Sequence, residues 1–233
     1  MSDMISIAID GPSGAGKSSL ARRCAAAFGF VYADTGAIYR TVGLAASRKG
    51  VSCRDAQAVA GLLPELDIQM RYSEAGEQRM LLNGEDVSEA IRLPEISICA
   101  SDVSALPIVR QFLLDMQRRI ARESNVIMDG RDIGTVVLPH ADLKVFLTAS
   151  PEARANRRLK ELREKGTETD FETVLADIRY RDEQDSNRAA APLRKADDAV
   201  ELDTTNLDFE ESFAALSQLI IERFCLKGTD SAR

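Results

Sequence analysis

"IDGPSGAGKSS" (residues 9–19) is the stretch that decides the fold, because it places three glycines, a proline and a lysine directly after a short apolar run. A helical pattern follows it, with apolar residues recurring at Leu20, Cys24 and Phe28 and with Gly29 as the expected stop. A strand before such a loop and a helix after it are the setting in which G-x-x-x-x-G-K-[ST] forms a phosphate-binding P-loop. That pattern is filled without a gap by Gly11, Gly16, Lys17 and Ser18.

The loop predicts how a nucleotide would be held. Successive backbone N–H groups of residues 14–19 can wrap a β-phosphate, helped by the positive end of the following helix, and glycines allow the backbone to approach closely. Lys17 would bridge the β- and γ-phosphates, and the Ser18 hydroxyl would bind Mg²⁺. No N-K-x-D motif is present to favour GTP over ATP. The predicted binding set for the nucleotide is Gly11, Pro12, Ser13, Gly14, Ala15, Gly16, Lys17, Ser18 and Ser19.

Short apolar runs recur along the chain, and helix-like segments separate them. This alternation predicts an α/β fold, in which a P-loop NTPase-type parallel sheet is flanked by helices. Ligands of such sheets bind at the carboxyl ends of the strands, where the glycine loop, Asp34 and Asp129 all fall. The predicted strands are 5–9, 30–33, 126–128, 143–147 and 199–202. The last strand precedes a long amphipathic helix, whose expected apolar face carries Phe209, Phe213, Leu216, Ile220 and Phe224.

Two regions interrupt the alternation. Residues 64–92 alternate apolar and polar side chains between turn signals, which predicts a small antiparallel meander. Residues 151–195 predict two helices, the first with Ser150 as cap and Gly166 as stop, the second with a buried face. That face carries Phe171, Val174, Leu175 and Ile178. We therefore expect one P-loop domain over 1–226, with a core at 1–63, 102–150 and 196–226, an insert at 64–101, a helical lid at 151–195, and a C-terminal tail at 227–233.

Composition excludes several other classes of protein. The chain has 233 residues and a formal net charge of −7, which argues against a general nucleic-acid binder. No apolar run approaches a membrane span and the N-terminus has no export signal, so a cytoplasmic protein without membrane contact is expected. His140 is expected on the surface, and a monomer is the default. Buried, reduced thiols are expected at Cys24, Cys53, Cys99 and Cys225, which form no C-x-x-C pair.

The predicted lid is crowded with arginines, and this bears on what the phosphate does. Transfer of a phosphoryl group to a small acceptor requires water exclusion and the spreading of charge over many cations, which a mobile arginine-bearing lid provides. The simpler interpretation is a solvated helix face whose arginines pair with nearby glutamates. A P-loop ATPase or nucleotide-dependent regulator, whose arginines serve a protein partner, also stays open. The arginines are Arg154, Arg157, Arg158, Arg163, Arg179, Arg181, Arg188 and Arg194.

Five segments together resemble the bacterial cytidylate (CMP) kinases, which are nucleoside monophosphate kinases of the P-loop class. The resemblance covers residues 4–226, and "DGRDIGT" with "RDxxDxNR" is far more specific than the P-loop. It implies reversible transfer of the γ-phosphoryl of ATP to CMP and dCMP, giving CDP and dCDP for pyrimidine nucleotide metabolism. A related kinase acting on UMP, AMP or shikimate is the nearest alternative. The segments are "DGPSGAGKSS", "DTGAIYR", "DGRDIGTVV", "RRLKELREKG" and "RDEQDSNRAAAPL".

The resemblance also implies which residues bind the acceptor base. Asp132 would accept a hydrogen bond from the cytosine amine and would repel the carbonyl that uracil has there. Ser101 and Arg110 would complete the base pocket, and Thr35 stands where relatives more often have Ser. The plainer interpretations are an ion pair between Asp132 and its neighbour Arg131, and solvent exposure of Arg110. Arg110 is expected beside a helical apolar stripe of Ile108, Phe112, Met116 and Ile120.

The remaining implied roles concern the acceptor's phosphate and ribose. Arg40, Arg131 and Arg188 would bind the phosphate, for which the guanidinium fork is suited. Arg181 and Asp185 would bind the ribose hydroxyls, although a simple i,i+4 ion pair would also explain their spacing. Asp34 or Asp129 would position Mg²⁺ through water, and residues 203–206 lie where related kinases pack the adenine. Transition-state charge is assigned to Lys17, Arg131, Arg188 and Arg157, with Arg154 and Arg158 as competitors of Arg157.

Overall fold

The computed structural model describes residues 4–74, 76–164 and 166–226, so the expected tail at 227–233 lies outside the described residues. The chain divides into two compact units, one formed by 1–32 with 124–233 and the other by 33–123. The described strands are β1 (Ser6–Asp10), β2 (Val31–Asp34), β3 (Ile68–Tyr72), β4 (Gln78–Leu82), β5 (Glu85–Asp86), β6 (Val126–Gly130), β7 (Leu143–Thr148) and β8 (Val200–Asp203). The described helices are α1 (Lys17–Phe28), α2 (Thr35–Arg48), α3 (Ala56–Leu62), α4 (Pro94–Ser104), α5 (Pro107–Glu123), α6 (Pro151–Glu164), α7 (Phe171–Ser186) and α8 (Phe209–Phe224).

A five-stranded sheet in the order β2-β6-β1-β7-β8 confirms the predicted α/β class. Strand β1 pairs in parallel with both β6 and β7, and β7 pairs in parallel with β8. The register sets Ile9 opposite Asp129 and Asp10 opposite Gly130. The loop after β1 and the loop after β6 therefore leave the same edge of the sheet side by side, as the rule for parallel sheets requires.

The core of the first unit joins this sheet to α1 and α8. Leu20 and Cys24 of α1 are buried as predicted, and Gly29 ends the helix in the left-handed region at φ 69°. Leu216 and Ile220 of α8 are fully buried, but the expected apolar face was wrong at Phe209, which is 45% exposed. Arg23 explains the difference: its guanidinium stacks over the rings of Phe209 and Phe213 at 5.2 and 4.0 Å and pairs with Glu210, which shields apolar surface without burying it.

The two arginine-rich helices pack as the pattern predicts. Ser150 Oγ accepts a hydrogen bond from Ala153 N, and Pro151 occupies the first helical position of α6. Asp170 caps α7 by accepting from Thr173 N. Val174, Leu175 and Ile178 of α7 are buried against Ala155 and Leu159 of α6, with Phe171 and Leu162 partly buried beside them. The arginines project from a pair of helices that has its own apolar core.

The second unit holds the predicted meander, with β3, β4 and β5 forming an antiparallel sheet. The apolar stripe predicted on α5 is only partly buried: Ile108 and Phe112 are 45% and 38% exposed, whereas Met116 packs against the core of this unit. Val109 and Leu113 are buried on the adjacent side of the helix. Both stripes have helical spacing, and only the packing of α5 against the core of this unit distinguishes them. Residue identity could not decide between two adjacent apolar stripes.

The structure also shows the burial of the cysteines and the hydropathy of the described helices. All four cysteines are free thiols, but burial was predicted correctly only for Cys24 and Cys53, because Cys99 is half-buried and Cys225 is exposed. His140 is exposed, as expected. Over the described ranges, no single helix has the length and hydropathy of a membrane span, and α4 with α5, which meet at 98°, pass that test only when taken together.

Candidate active site

Gly11 begins the P-loop where β1 ends, and its backbone φ is 147°. A Cβ placed on it would lie 1.9 Å from the carbonyl oxygen of Leu147 in the neighbouring strand β7. From the sequence, these glycines were expected to allow the backbone to approach phosphate closely. The structure adds that Gly11 is required by close approach to the protein's own backbone.

Lys17 lies at the start of α1 and is buried, with 5% of its surface exposed. Its Nζ donates a hydrogen bond to the carbonyl oxygen of Pro12 at 2.7 Å, so the side chain folds back over the loop. Burial and the nearby Arg131 lower the pKa of Lys17 well below its usual range, and the carboxylates of Asp129, Asp10 and Asp185 oppose this shift. Binding of an anionic phosphate in the loop would therefore favour the protonated, charged form of Lys17.

Ser18 and Asp129 are brought together from opposite parts of the sequence. Ser18 Oγ donates to Asp129 Oδ2 at 2.8 Å, and Tyr32 Oη donates to Asp129 Oδ1 at 2.9 Å. Asp129 is 4% exposed, whereas Ser18 is exposed. The guanidinium of Arg22 lies 5.5 Å from the centre of the Tyr32 ring. Both carboxylate oxygens of Asp129 are thus fixed in direction by hydroxyl groups.

Asp10, the last residue of β1, binds the segment that follows β6. Its Oδ1 accepts from Ile133 N at 2.8 Å and its Oδ2 accepts from Gly134 N at 2.7 Å. Burial raises the pKa of Asp10 to about 6, against the lowering effect of the two amides and Lys17, and the charge of Asp132 adds to the rise. Asp10 therefore connects the P-loop strand to the "DGRDIGT" segment.

Arg131 and Asp185 form an ion pair of 2.7 Å between Nε and Oδ2, which joins the end of β6 to the end of α7. The backbone carbonyl of Asp185 accepts from Leu193 N at 2.8 Å and from Arg188 Nε at 3.4 Å. Three residues predicted for acceptor binding, Arg131, Asp185 and Arg188, therefore lie together. Asp132, which follows Arg131, is buried with 4% exposed.

Arg181 is exposed on α7, and Asp185 is bound by Arg131. The simple i,i+4 ion pair was one interpretation of their spacing, but the structure gives Asp185 a partner 54 residues away. The side chain of Arg131 is likewise directed to Asp185, whereas the plainer interpretation paired it with Asp132. A long arginine side chain reaches past its chain neighbours when a carboxylate is fixed across the sheet edge.

The lid arginines have three different environments. Arg154 is 3% exposed and donates to Ser13 O at 3.0 Å and Ala149 O at 2.9 Å, while both terminal nitrogens bind Asp182. Arg157 donates to the hydroxyl and carbonyl of Thr204 and to the carbonyl of Leu207, so it is bound to the turn after β8. Arg158 is exposed and pairs with Glu161 on its own helix. Of the three, Arg154 is the one that contacts the P-loop.

The second unit holds the other predicted residues on three helices. Asp34 caps α2 by accepting from Ala37 N, and its second oxygen pairs with Arg40 at 2.7 Å. Arg40 Nε is buried and has no hydrogen-bond partner among the described residues. Thr35, at the start of α2, is buried. Ser101 is exposed on α4, and Arg110, half-buried on α5, donates to Ser104 O and stacks over the Tyr39 ring at 5.5 Å.

Three residues of the first unit were missed by sequence reasoning: Asp10, Tyr32 and Asp182. Asp10 could have been found from its place at the end of a buried strand, because a buried carboxylate needs hydrogen-bond donors. Tyr32 lies inside a predicted strand, and Asp182 inside an arginine-rich helix. Their partners are Asp129 and Arg154, 97 and 28 residues away, and no local pattern specifies those contacts.

The chain matches the family model described as cytidylate kinase over residues 7–222. It is 49% identical over 217 residues to the cytidylate kinase of Geobacter sulfurreducens, which covers 93% of each chain. It is 49% identical to that of Carboxydothermus hydrogenoformans, over 92% of this chain and 96% of the relative. It is 50% identical to that of Saccharophagus degradans, over 88% and 92%.

Proposed function

The chain belongs to the cytidylate kinase family, and from that premise we propose which of its residues hold the two substrates and how they move the phosphoryl group. The activity is that of a cytidylate kinase, a phosphotransferase. We propose ATP as donor, and CMP with dCMP as acceptors. The observation that carries the assignment is that Lys17, the Ser18–Asp129 pair and the Arg131–Asp185 pair all lie at one edge of one sheet.

The donor triphosphate is bound by backbone groups of the P-loop. We assign the β-phosphate to the amides of residues 14–19, and the start of α1 adds the positive end of a helix dipole. Lys17 exchanges its bond to the Pro12 carbonyl for the β- and γ-oxygens. Because burial holds the pKa of Lys17 low, the triphosphate raises it again and draws a proton onto the amine.

Residues suited to Mg²⁺ stand beside this loop. The Ser18 hydroxyl and the Asp129 carboxylate are hard oxygen donors 2.8 Å apart, and Mg²⁺ uses one or two such side chains together with phosphate oxygens and waters. No group of three or more His, Cys, Asp or Glu side chains that could hold a metal occurs in the described ranges. When bound, the ion neutralises charge on the β- and γ-phosphates. Tyr32 orients the Asp129 carboxylate.

Acceptor binding is assigned separately to residues of each unit. In the first unit, Arg131 and Arg188 bind the phosphate, Asp185 and Arg181 the ribose, and Asp132 the cytosine amine. In the second unit, the assigned residues are Thr35, Arg40, Ser101 and Arg110. The buried Arg40 Nε, with no partner among the described residues, is a donor suited to an anion.

Charge in the transition state is assigned to Lys17, Arg131, Arg188 and Arg157. The guanidinium of Arg157 is bound to carbonyls of the turn at 204–207, so it reaches the phosphoryl group only after those bonds open. No general base is required, because the acceptor's phosphate oxygen is already ionised near neutral pH. Alignment and charge neutralisation supply the catalysis.

A coupled ADP-release assay tests the assignment over CMP, dCMP, UMP, AMP and shikimate. We expect turnover with CMP and dCMP, weak turnover with UMP, and an Asp132→Ala variant that no longer prefers CMP over UMP. Equal rates with UMP and CMP in the unaltered protein would contradict the base-reading role of Asp132. ATP hydrolysis that is rapid without any acceptor would contradict the transferase assignment itself.

A further inference from the structure

We propose that Gln78 and Asp34 are positioning residues for the acceptor's phosphate: Gln78 fixes the backbone of Asp34, and the Asp34 carboxylate directs the guanidinium of Arg40. Both roles rest on the proposed binding of that phosphate by Arg40. All three residues lie in the second unit. The small antiparallel sheet would then help to hold the acceptor, and Asp34 would act on Arg40 rather than on Mg²⁺ through water.

The first residue of β4, Gln78, binds both backbone groups of Asp34. Its Oε1 accepts from Asp34 N at 2.7 Å, and its Nε2 donates to Asp34 O at 3.2 Å. Side chains alternate along a strand, so Gln78 shares a face with Met80, which is 1% exposed in the core of this unit. A side-chain amide offers the one donor and one acceptor that a residue's backbone N–H and C=O require. The residue that caps α2 is therefore held by a strand 44 residues further along the chain.

Asp34 connects this contact to Arg40. Its Oδ1 accepts from Ala37 N at 3.0 Å, which caps α2, and its Oδ2 accepts from Arg40 Nη2 at 2.7 Å. Because the backbone and one oxygen of Asp34 are both fixed, Oδ2 is held in one direction, toward the guanidinium. The side chains of Asp34 and Arg40 are 22% and 27% exposed, so their attraction is shielded in part from solvent.

The guanidinium of Arg40 keeps donors for an anion while it binds Asp34. Its Nε is buried and has no hydrogen-bond partner among the described residues, and part of the side chain remains open to solvent. An unsatisfied buried donor costs free energy that the oxygens of an anion would recover. Because a guanidinium is planar, fixing Nη2 also fixes the plane in which its other N–H groups point. Asp34 therefore orients the donors that Arg40 offers to a phosphate.

Gly36, in the first turn of α2, leaves space for this ion pair. A Cβ built on Gly36 would lie 3.0 Å from Asp34 Oδ1 and 3.1 Å from Arg40 Nη1, which is closer than side chains ordinarily pack. Alanine normally stabilises a helix relative to glycine. At this position, however, its methyl group would press on the pair, so Gly36 offers a way to disturb Arg40 without removing any polar group.

Asp34→Asn tests the carboxylate in the full chain. Asparagine is also a good helix cap, but it has no charge with which to hold Arg40. We expect KM for CMP to rise about tenfold, the loss of one charge-assisted hydrogen bond, while KM for ATP changes less than about threefold and the Mg²⁺ dependence of the rate is unchanged. A changed Mg²⁺ dependence with KM for CMP unchanged would overturn the proposal. So would a lower KM for CMP, because Asp34 would then only compete with the phosphate.

Gly36→Ala gives a second test, with Gly61→Ala as its matched control. Gly61 lies in α3 of the same unit, and no atom outside the backbone of its own helix is within 4 Å of an added Cβ. We expect Gly36→Ala to raise KM for CMP about three- to tenfold without lowering Tm, because the guanidinium is displaced while the helix is not weakened. Gly61→Ala should leave KM for CMP unchanged. A lower Tm for Gly36→Ala with KM for CMP unchanged would show a packing role alone and overturn the proposal.

A double-mutant cycle with Arg40→Ala separates positioning from a structural role. Gln78→Ala should raise KM for CMP about fivefold in the unaltered chain and have no effect in the Arg40→Ala background. Its control is Gln69→Ala in β3, because Gln69 bonds to Asp67 and Arg71 beside it. Additive losses would overturn the proposal and leave the role of Arg40 intact. If Arg40→Ala alone does not change KM for CMP, the proposed phosphate binding by Arg40 fails instead.

Discussion

The Nε of Arg131 lies 2.7 Å from Oδ2 of Asp185, so a residue assigned to the acceptor's phosphate and one assigned to its ribose hold each other in place. Because the pair is only partly exposed, solvent and salt screen the attraction between its two charges less than on an open surface. We therefore propose two functions for Asp185, which are contact with the sugar and orientation of the Arg131 guanidinium.

Asp185→Asn tests both functions. We expect KM for CMP to rise about tenfold and kcat to fall as well, because a charge-assisted hydrogen bond is worth about 1.5–3 kcal/mol and Arg131 loses its orientation. Steady-state kinetics with CMP varied at saturating ATP measures this. Asp177→Asn, an exposed aspartate on the same helix, is the control and should leave both constants unchanged. An effect on KM alone, with kcat intact, would show that Arg131 does not depend on Asp185.

Gly11→Ala is expected to prevent stable folding. Its Cβ would lie 1.9 Å from Leu147 O, which is part of the neighbouring strand and cannot move aside cheaply. Gly29→Ala is the matched control, because Gly29 also has a positive φ, but no atom lies within 4 Å of its added Cβ. The control should lose only about 1 kcal/mol of unfolding free energy. Urea denaturation of both variants distinguishes a steric effect from the preference for left-handed backbone.

Arg154→Ala should destabilise the protein by about 3–5 kcal/mol, because it leaves Asp182 without its bidentate partner and two backbone carbonyls without a donor. Arg158→Ala removes an exposed pair on the same helix, and a loss below about 1 kcal/mol is expected there. Thermal unfolding measures both. Equal losses in the two variants would mean that the contact with the P-loop does not stabilise the fold.

Tyr32→Phe removes the hydrogen bond to Asp129 Oδ1 and leaves the ring in place. We expect the Mg²⁺ concentration for half-maximal rate to rise about three- to tenfold, since a partner that orients a metal-binding carboxylate contributes on this scale or more. Titration of Mg²⁺ at fixed ATP gives this value, and calorimetry of Mg²⁺–nucleotide binding checks it without turnover. Tyr180→Phe, which alters an exposed tyrosine, should change neither.

The unfolding free energy should depend on pH through Asp10. Its pKa is raised from 3.8 to about 6 in the folded protein, so the native state binds more protons than the unfolded state between these values, and stability falls as pH rises. A shift of this size corresponds to about 3 kcal/mol. Asp10→Asn lacks this titration, so its stability relative to the unaltered chain should rise by up to that amount from pH 4 to pH 7. Urea unfolding at pH 4 and at pH 7 measures the difference in unfolding free energy between the variant and the unaltered chain. A difference that does not change with pH would contradict the raised pKa of Asp10.

The sequence by itself determined the elements that depend on local chemistry. The glycines and lysine of residues 9–19, the caps at Ser150 and Asp170, and the turn glycines specify a strand, a loop or a helix through their own backbone preferences. Periodicity correctly predicted the buried face of α7. On α5 it predicted a stripe that is buried only in part, because apolar residues stand side by side there and only packing decides which are covered.

Only the tertiary structure decided which charged groups meet. Asp10 with the amides at 133 and 134, Tyr32 with Asp129, and Arg131 with Asp185 are separated by 54 to 124 residues. A parallel sheet brings the ends of its strands to one edge whatever their order along the chain, so these contacts follow from strand register and leave no local pattern. The P-loop could be predicted from eleven residues because its backbone conformation is local, whereas the partners of its carboxylates depend on the whole sheet.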